Sequence, residues 1–293
     1  ALFKRSVKQR TCFYSRSSLM ESRILTNQLS FIESGYLNVM DNMEQKLSHL
    51  ILGLPVSNIL GSINRTIREI AYDSRKAGPD SLFVAIPGGN WDGSAFIKDA
   101  IARGASAFIT QTPLESLNGL DLGSRDVTAI CVEDSRKALS VISSNFYRCP
   151  SERLALTGIT GTNGKTTTSY ILEALFQANE VRSGVIGTIN YHYDGKKIPA
   201  PVTTPESLDL NRMLNEMVEE GIGNCFLEVS SHALHQNRVH HMRFKVGIFT
   251  NLSRDHLDFH GDMECYKNAK KKLFLDNQIQ QRIFNIDDAV GQK

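Results

Sequence analysis

Apolar and polar positions follow no sustained period over the first forty residues; the pattern begins at Met43. Met43, Leu47, Leu50, Ile51 and Leu54 then recur at helical spacing and predict a short amphipathic helix from Met43 to Leu54. SLFVAIP, from Ser81 to Pro87, is a continuous apolar run of strand length. Ala95 to Arg103 reads as a helix that Gly104 ends, and AFIT and TAICV as further strands. Together these elements predict a small α/β domain closing near Cys149-Pro150.

The pattern changes scale after that point. LALTGIT, starting at Leu154, leads into a glycine-punctuated loop, and a helix is predicted from about Thr166 to Ala178. GVIGTI follows as a strand, and Asp194-Gly195 within YHYDGKK is a strong hairpin-turn signal. Ser207 to Glu220 has helical spacing at Leu208, Met213, Leu214, Met217 and Val218. CFLEVS and KVGIFTNLS are unbroken apolar strands, the mark of parallel strands covered on both faces. A helix near Met263 to Asp276 and a last strand, RIFNID, complete the series. Strands alternating with helices predict an open, mostly parallel sheet whose ligands bind at the carboxyl ends of the strands. The glycine loop, Glu228 to Ser230, and Asn251 to His256 all sit at such ends and should converge.

Length and charge refine this picture. A chain of 293 residues has room for two domains, predicted as 40–150 and 151–293. Residues 1–39 form a basic extension: Lys4, Arg5, Lys8, Arg10, Arg16 and Arg23 face Glu21 alone up to residue 30. That composition fits an organelle transit peptide, or a disordered or non-native stretch ahead of a start at Met40. The net charge of +2 selects no polyanionic partner. The five cysteines have no CxxC spacing, which suggests reduced thiols in a cytosol-like compartment. No apolar run reaches the length of a membrane span.

The strongest chemistry lies in TGITGTNGKTTT, Thr157 to Thr168. Backbone N–H groups of such a loop cradle phosphate oxygens at the positive end of the following helix. Lys165 can reach the terminal phosphates, and the Thr166 hydroxyl is placed for Mg²⁺. A standard P-loop has its first glycine where this chain has Ile159; Gly158, Gly161 and Gly164 recur every third residue instead. Glu228, at a strand end, suits a Mg²⁺ held against phosphates. The run Asp255, His256, Asp258, His260 suggests zinc, but no second cluster supports it, and hard oxygen ligation favours Mg²⁺. In KNAKKKLF, Lys270 lies on the stripe of Leu273 and Phe274, with Lys271 and Lys272 pointing elsewhere.

These residues together resemble the Mur ligases of bacterial cell-wall synthesis, in the branch of the UDP-N-acetylmuramoyl-tripeptide synthetases. The likeness runs from about Leu47 to the end through AYDSRKAGPDSLFVAIPG, Asp92-Gly93, TGTNGKTTT, TTPES, LEVSSHALHQNRV, FTNLSRDHLDFHGDMECY, NAKKKLF and NIDD. It implies an N-terminal domain for the uridine nucleotide, then a P-loop central domain, and a C-terminal domain that would follow Lys293. The chain is therefore expected to be a piece of a longer protein, inactive alone and monomeric when complete; the alternative is a naturally short protein that has lost catalysis. By the same resemblance Gly161, Thr162, Asn163, Gly164, Lys165, Thr166 and Thr167 hold ATP. Ser74, Thr203, Thr204, Ser230, Gln236 and Arg238 hold UDP-MurNAc-L-Ala-D-Glu, with Asp73 and Arg75 shaping the Ser74 loop. Thr166, Glu228, His256 and Lys270 serve Mg²⁺, Lys270 as an N-carbamate (N6-carboxylysine).

The implied reaction is an ATP-dependent ligation. The D-glutamyl carboxylate takes the γ-phosphate, and the amine of a diamino acid then displaces phosphate from the acyl carbon. Lys165, Lys270 and His256 are its implied catalytic residues. Whether that amino acid is meso-diaminopimelate or L-lysine is open. The expected setting is the cytoplasm, with no nucleic-acid or membrane partner. Two other readings compete: a folylpolyglutamate-type ligase, which DSR and TTPES disfavour, and a plastid relative serving in a transcription complex, which only the basic leader supports.

Overall fold

Among the described residues two sheets form, one of five strands and one of seven, beside a two-stranded ribbon. The computed structural model describes residues 44–88, 92–117 and 126–292; the basic extension expected over residues 1–39 lies outside them. In order, the first half gives β1 (Gln45–Lys46), α1 (Leu47–Leu50), β2 (Val56–Leu60), β3 (Thr66–Ile67), β4 (Glu69–Ala71), β5 (Ser81–Ala85), α2 (Ile97–Ala102), β6 (Ala107–Thr110), β7 (Thr128–Val132) and α3 (Ser135–Phe146). Its sheet runs β2-β7-β6-β5-β4, parallel except for β2 against β7.

Of the helix predicted from Met43 to Leu54, Met43 lies outside the described residues, and the rest holds a single helical turn, Leu47–Leu50. Leu47 and Leu50 are fully buried, so the spacing did mark core positions. The flanks, however, go to other partners: β1 pairs with β3, and Leu47 N donates to Arg65 O at 2.8 Å. Gly53, at φ 81°, then turns the chain away. Helix α3 was not anticipated. Asp134 caps it, its Oδ1 accepting from Arg136 N at 2.9 Å and Lys137 N at 3.0 Å.

The second half gives α4 (Pro150–Arg153), β8 (Ala155–Thr160), α5 (Lys165–Ala178), β9 (Ser183–Ile186), β10 (Asn190–Tyr193), β11 (Lys196–Pro199), α6 (Ser207–Glu219), β12 (Asn224–Glu228), α7 (Ser231–His235), β13 (Arg243–Phe249), α8 (Leu257–His260), α9 (Met263–Leu275) and β14 (Gln278–Phe284). The strand order is β11-β10-β9-β12-β8-β13-β14. Strands β9, β12, β8, β13 and β14 are parallel; β10 and β11 form an antiparallel margin through the turn at Asp194 (φ 48°) and Gly195 (φ 71°). Both faces are covered, as the unbroken apolar strands require. Phe226 meets Phe176 of α5 edge-on at 5.1 Å, while Leu156 and Leu227 pack on the opposite face in a core shared with Met213 and Met217 of α6 and Leu273 of α9.

The two sheets meet through α3 and α6. Leu208 of α6 packs on the core of the first sheet, and Tyr72 Oη donates to Asp209 Oδ2 at 2.6 Å. Asn237 Nδ2 donates to Asp134 Oδ2 at 3.1 Å. Among the described residues no helix is long and apolar enough to cross a membrane.

Candidate active site

The turn after β8 depends on glycine. Gly161 has φ 149°, and a Cβ there would sit 1.9 Å from Thr250 Oγ1; Gly164 has φ 86°. The loop is fastened from behind by the segment after β13. Thr162 N donates to Asn251 O at 2.9 Å, Asn163 N to Asn251 Oδ1 at 3.0 Å, and Thr250 Oγ1 to Asn163 O at 2.6 Å. The amides of Thr162 and Asn163 therefore hold the loop's shape. In α5 the first intrahelical bond runs from Thr168 N to Gly164 O. It leaves the N–H groups of Lys165, Thr166 and Thr167 at the positive helix end without acceptors inside the helix. Lys165 Nζ lies over the loop, donating to Gly161 O and Thr162 O at 2.9 Å each. Burial lowers the pKa of that amine, against the pull of Glu228 and Asp255.

Glu228 is fully buried at the end of β12. It accepts from Thr166 Oγ1 and Thr188 Oγ1, each at 2.9 Å, and from Thr188 N at 3.1 Å. Thr188 escaped the sequence reading; its one signal is its place at the end of GVIGTI. Gly187 before it lets the carboxylate approach, since a Cβ would fall 2.1 Å from Glu228 Oε1.

A cavity of about 310 Å³ opens beside these groups and gathers the expected residues from five segments. Thr203, Thr204, Ser230, Gln236 and Arg238 line it together with Lys165, His256 and Lys270. Thr204 is buried: its hydroxyl donates to Glu228 O at 2.8 Å and accepts from Ser230 N at 3.0 Å. Thr203 Oγ1 lies 3.1 Å from Thr188 Oγ1, and Ser230 Oγ caps α7 by accepting from Ala233 N at 3.2 Å. Gln236 Oε1 is buried with no hydrogen-bond partner among the described residues. Such an acceptor calls for a ligand or water donor.

Lys270 is nearly fully buried, while Lys271 is exposed and Lys272 half-buried. Its Nζ donates to Gly161 O at 2.8 Å and lies 4.6 Å from the centre of the Tyr266 ring. Burial, and then the charge of Lys165, push this amine down to about 7, against Asp255.

His256 precedes α8 at φ 51°, with Asp255 Oδ2 at 3.4 Å and the His232 ring edge-on at 5.0 Å. His260 Nε2 lies 2.9 Å from Ser231 Oγ; burial and the neighbouring cations hold its pKa down to about 4. Ser74 is placed elsewhere. It lies buried in the turn after β4, outside the residues lining this cavity, where Asp73 accepts from Arg75 N at 3.0 Å and pairs with the Arg75 side chain.

The donor set suits a hard cation. Thr166 and Glu228 offer oxygens in contact with one another, and Lys270 would add oxygens only as a carbamate. Among the described residues no three His, Cys, Asp or Glu side chains are grouped to hold a metal ion. Mg²⁺ here would therefore draw ligands from phosphate and water as well.

A P-loop at the end of a parallel strand, a strand-end carboxylate and a buried lysine on a third element together make a site suited to nucleotide phosphates. The chain belongs to the Mur ligase family: residues 159–293 match the Mur ligase middle domain, and residues 66–147 the Mur ligase family catalytic domain. Its relatives include the UDP-N-acetylmuramoyl-L-alanyl-D-glutamate--2,6-diaminopimelate ligases of Alkaliphilus oremlandii, 44% identical over 84% of this chain and 49% of that one, and of Clostridioides difficile, 45% identical over 85% and 49%. A solved structure of a ligase of that name superposes with a TM-score of 0.66 at 29% identity, over 79% of this chain and 46% of that one. MurF from Acinetobacter baumannii shares the fold, with a TM-score of 0.54 at 19% identity, over 85% of this chain and 50% of that one. The chain spans about half the length of the curated relatives it matches.

Proposed function

We propose that this chain supplies the phosphate-binding and substrate-binding half of an ATP-dependent ligase. The ligase joins the D-glutamyl carboxylate of UDP-MurNAc-L-Ala-D-Glu to an amine of 2,6-diaminopimelate. One observation carries the reading: Lys165, Lys270, Arg238 and the Thr204–Ser230 pair, from separate elements, line one cavity of about 310 Å³. The names of the relatives support both substrates and favour diaminopimelate over lysine. Their bacterial sources, and the ATP the reaction consumes, support a cytoplasmic setting.

The chain's residues divide the work. The N terminus of α5 and Lys165 bind the phosphates and offset the repulsion between triphosphate and carboxylate. Arg238 presents a planar fork suited to a carboxylate or phosphate, and the unpartnered Gln236 Oε1 accepts from a substrate N–H or O–H. Thr166, Glu228, His256 and a carbamylated Lys270 would hold Mg²⁺, which neutralises charge during phosphoryl transfer. Carbamylation needs a neutral amine, and burial gives Lys270 one near neutral pH.

Titration calorimetry on the whole chain tests the reading, with Mg-ADP and UDP-MurNAc-L-Ala-D-Glu as probes. Binding of both is expected; uptake of neither overturns it. Proton-decoupled ¹³C NMR with labelled bicarbonate should show a carbamate signal that Lys270→Ala removes.

A further inference from the structure

Two arginines from opposite halves of the chain meet on one carboxylate. Glu206, just before α6, accepts at Oε2 from Arg136 Nη1 at 3.0 Å, and its Oε1 makes an ion pair at 3.1 Å with Arg238 Nε, which has no hydrogen-bond partner among the described residues. The three side chains are largely buried, at 15, 13 and 17% exposure for Arg136, Glu206 and Arg238. Each arginine also grips backbone. Arg136 donates from Nε at 3.1 Å and Nη2 at 2.7 Å to Pro87 O, just after β5. Arg238 Nη1 donates to Thr204 O at 2.7 Å, on the cavity wall. An unbroken set of contacts thus runs from a strand-end loop of the first sheet to the cavity of the second.

Stability alone is a weak reason for this arrangement. Buried ion pairs can often be replaced by apolar side chains at little cost, whereas removing one partner strands a charge. Fixing a long, flexible side chain before a ligand arrives is a different gain: it removes the ordering cost from binding. Glu206 does this for Arg238 with one oxygen and, through Arg136, holds the Pro87 loop with the other. Pro87 and the Ser74 turn follow β5 and β4, neighbouring parallel strands, so both lie at the carboxyl edge of the first sheet.

We propose that Glu206 is a positioning residue that keeps the two halves of a long anionic substrate site in register, acting through Arg238 on one side and Arg136 on the other. The proposal rests on the ligase reading and deepens it.

The test is calorimetry on the whole chain with two probes, UDP alone and UDP-MurNAc-L-Ala-D-Glu. Arg136 keeps its hold on Pro87 O in Glu206→Gln, so UDP should bind as before. The intact substrate, which also needs Arg238 in place, should bind about tenfold to a hundredfold more weakly. Glu206→Asp retains the buried charge and shortens the reach. It should show the same selective loss to a smaller degree, and it carries the test if the Gln variant does not fold. Equal loss for both probes would mean Glu206 merely holds the fold together, and no loss for either would mean Arg238 needs no positioning; each overturns the proposal. If wild type binds neither probe, the ligase reading fails and the proposal with it.

Discussion

Lys165 and Lys270 donate to the same backbone oxygen, that of Gly161, at 2.9 and 2.8 Å. Two cationic groups thus crowd one carbonyl at the back of the phosphate loop. Burial first, and then the charge of Lys165, lower the proton affinity of Lys270.

That crowding has a sign in stability. Unfolded, Lys270 titrates near 10.4; folded, at about 7. Between these values the unfolded chain binds more protons, so stability should rise with pH. Between about pH 7 and 8.5, before thiols and phenols interfere, the urea midpoint should climb, and in Lys270→Met the climb should flatten. An equal slope in both proteins would count against a buried amine.

Nucleotide affinity should depend on Lys165 and not on the surface lysines. Lys165→Ala removes a charge aimed at phosphate from a loop that Asn251 still holds in shape. Mg-ADP binding should weaken by about thirtyfold or more, with the fold intact by circular dichroism. Lys271→Ala and Lys272→Ala should leave it unchanged by calorimetry.

How much of this site was legible in the sequence depended on how local each signal was. The loop, the Asp194-Gly195 hairpin and the one buried lysine of three follow from spacing within a few residues, and the structure has them where they were read. Helix α3 was missed because its inner face is diluted by Ser135, Ser140, Ser143 and Ser144, all buried. Their hydroxyls hide the apolar period, although Ser143 Oγ simply donates to Leu139 O at 2.6 Å. The Arg136–Glu206 contact joins positions 70 residues apart, which no local pattern reveals. Ser74 follows the resemblance in sequence, but its turn belongs to the first sheet, away from the cavity.

Gly187→Ala should disturb Glu228 directly. The added methyl would stand 2.1 Å from Oε1, so the carboxylate must leave Thr166 and Thr188 or the strand end must shift. A loss of about 1–3 kcal/mol is expected from denaturant unfolding, with weaker Mg-nucleotide binding. Gly195→Ala is the contrast: it meets nothing within 4 Å, and its left-handed φ of 71° should cost about 1 kcal/mol with no effect on the nucleotide.

Acid should loosen the histidine cluster before it reaches ordinary carboxylates. His260 titrates at about 4 in the fold and near 6.5 in the unfolded chain, which therefore takes up its proton first as pH falls. His232, His235 and His240 are depressed in the same direction by burial. Stability should decline from pH 6.5 towards 4, and His260→Asn should remove part of the decline. Thermal melts across that range decide it.

The seven-stranded sheet has two unlike margins. On one side β11 displays Lys196 and Lys197 and ends at Pro199, whose ring nitrogen has no proton to donate. On the other, β14 presents its outer main chain beside the exposed Ile283 and Phe284. A strand added beside β14 through a tight turn can enter only antiparallel, while parallel entry needs a long crossover. Fluorophores, tethers or fused peptides placed on β11 would leave that edge clear, and the same additions on β14 would occupy it.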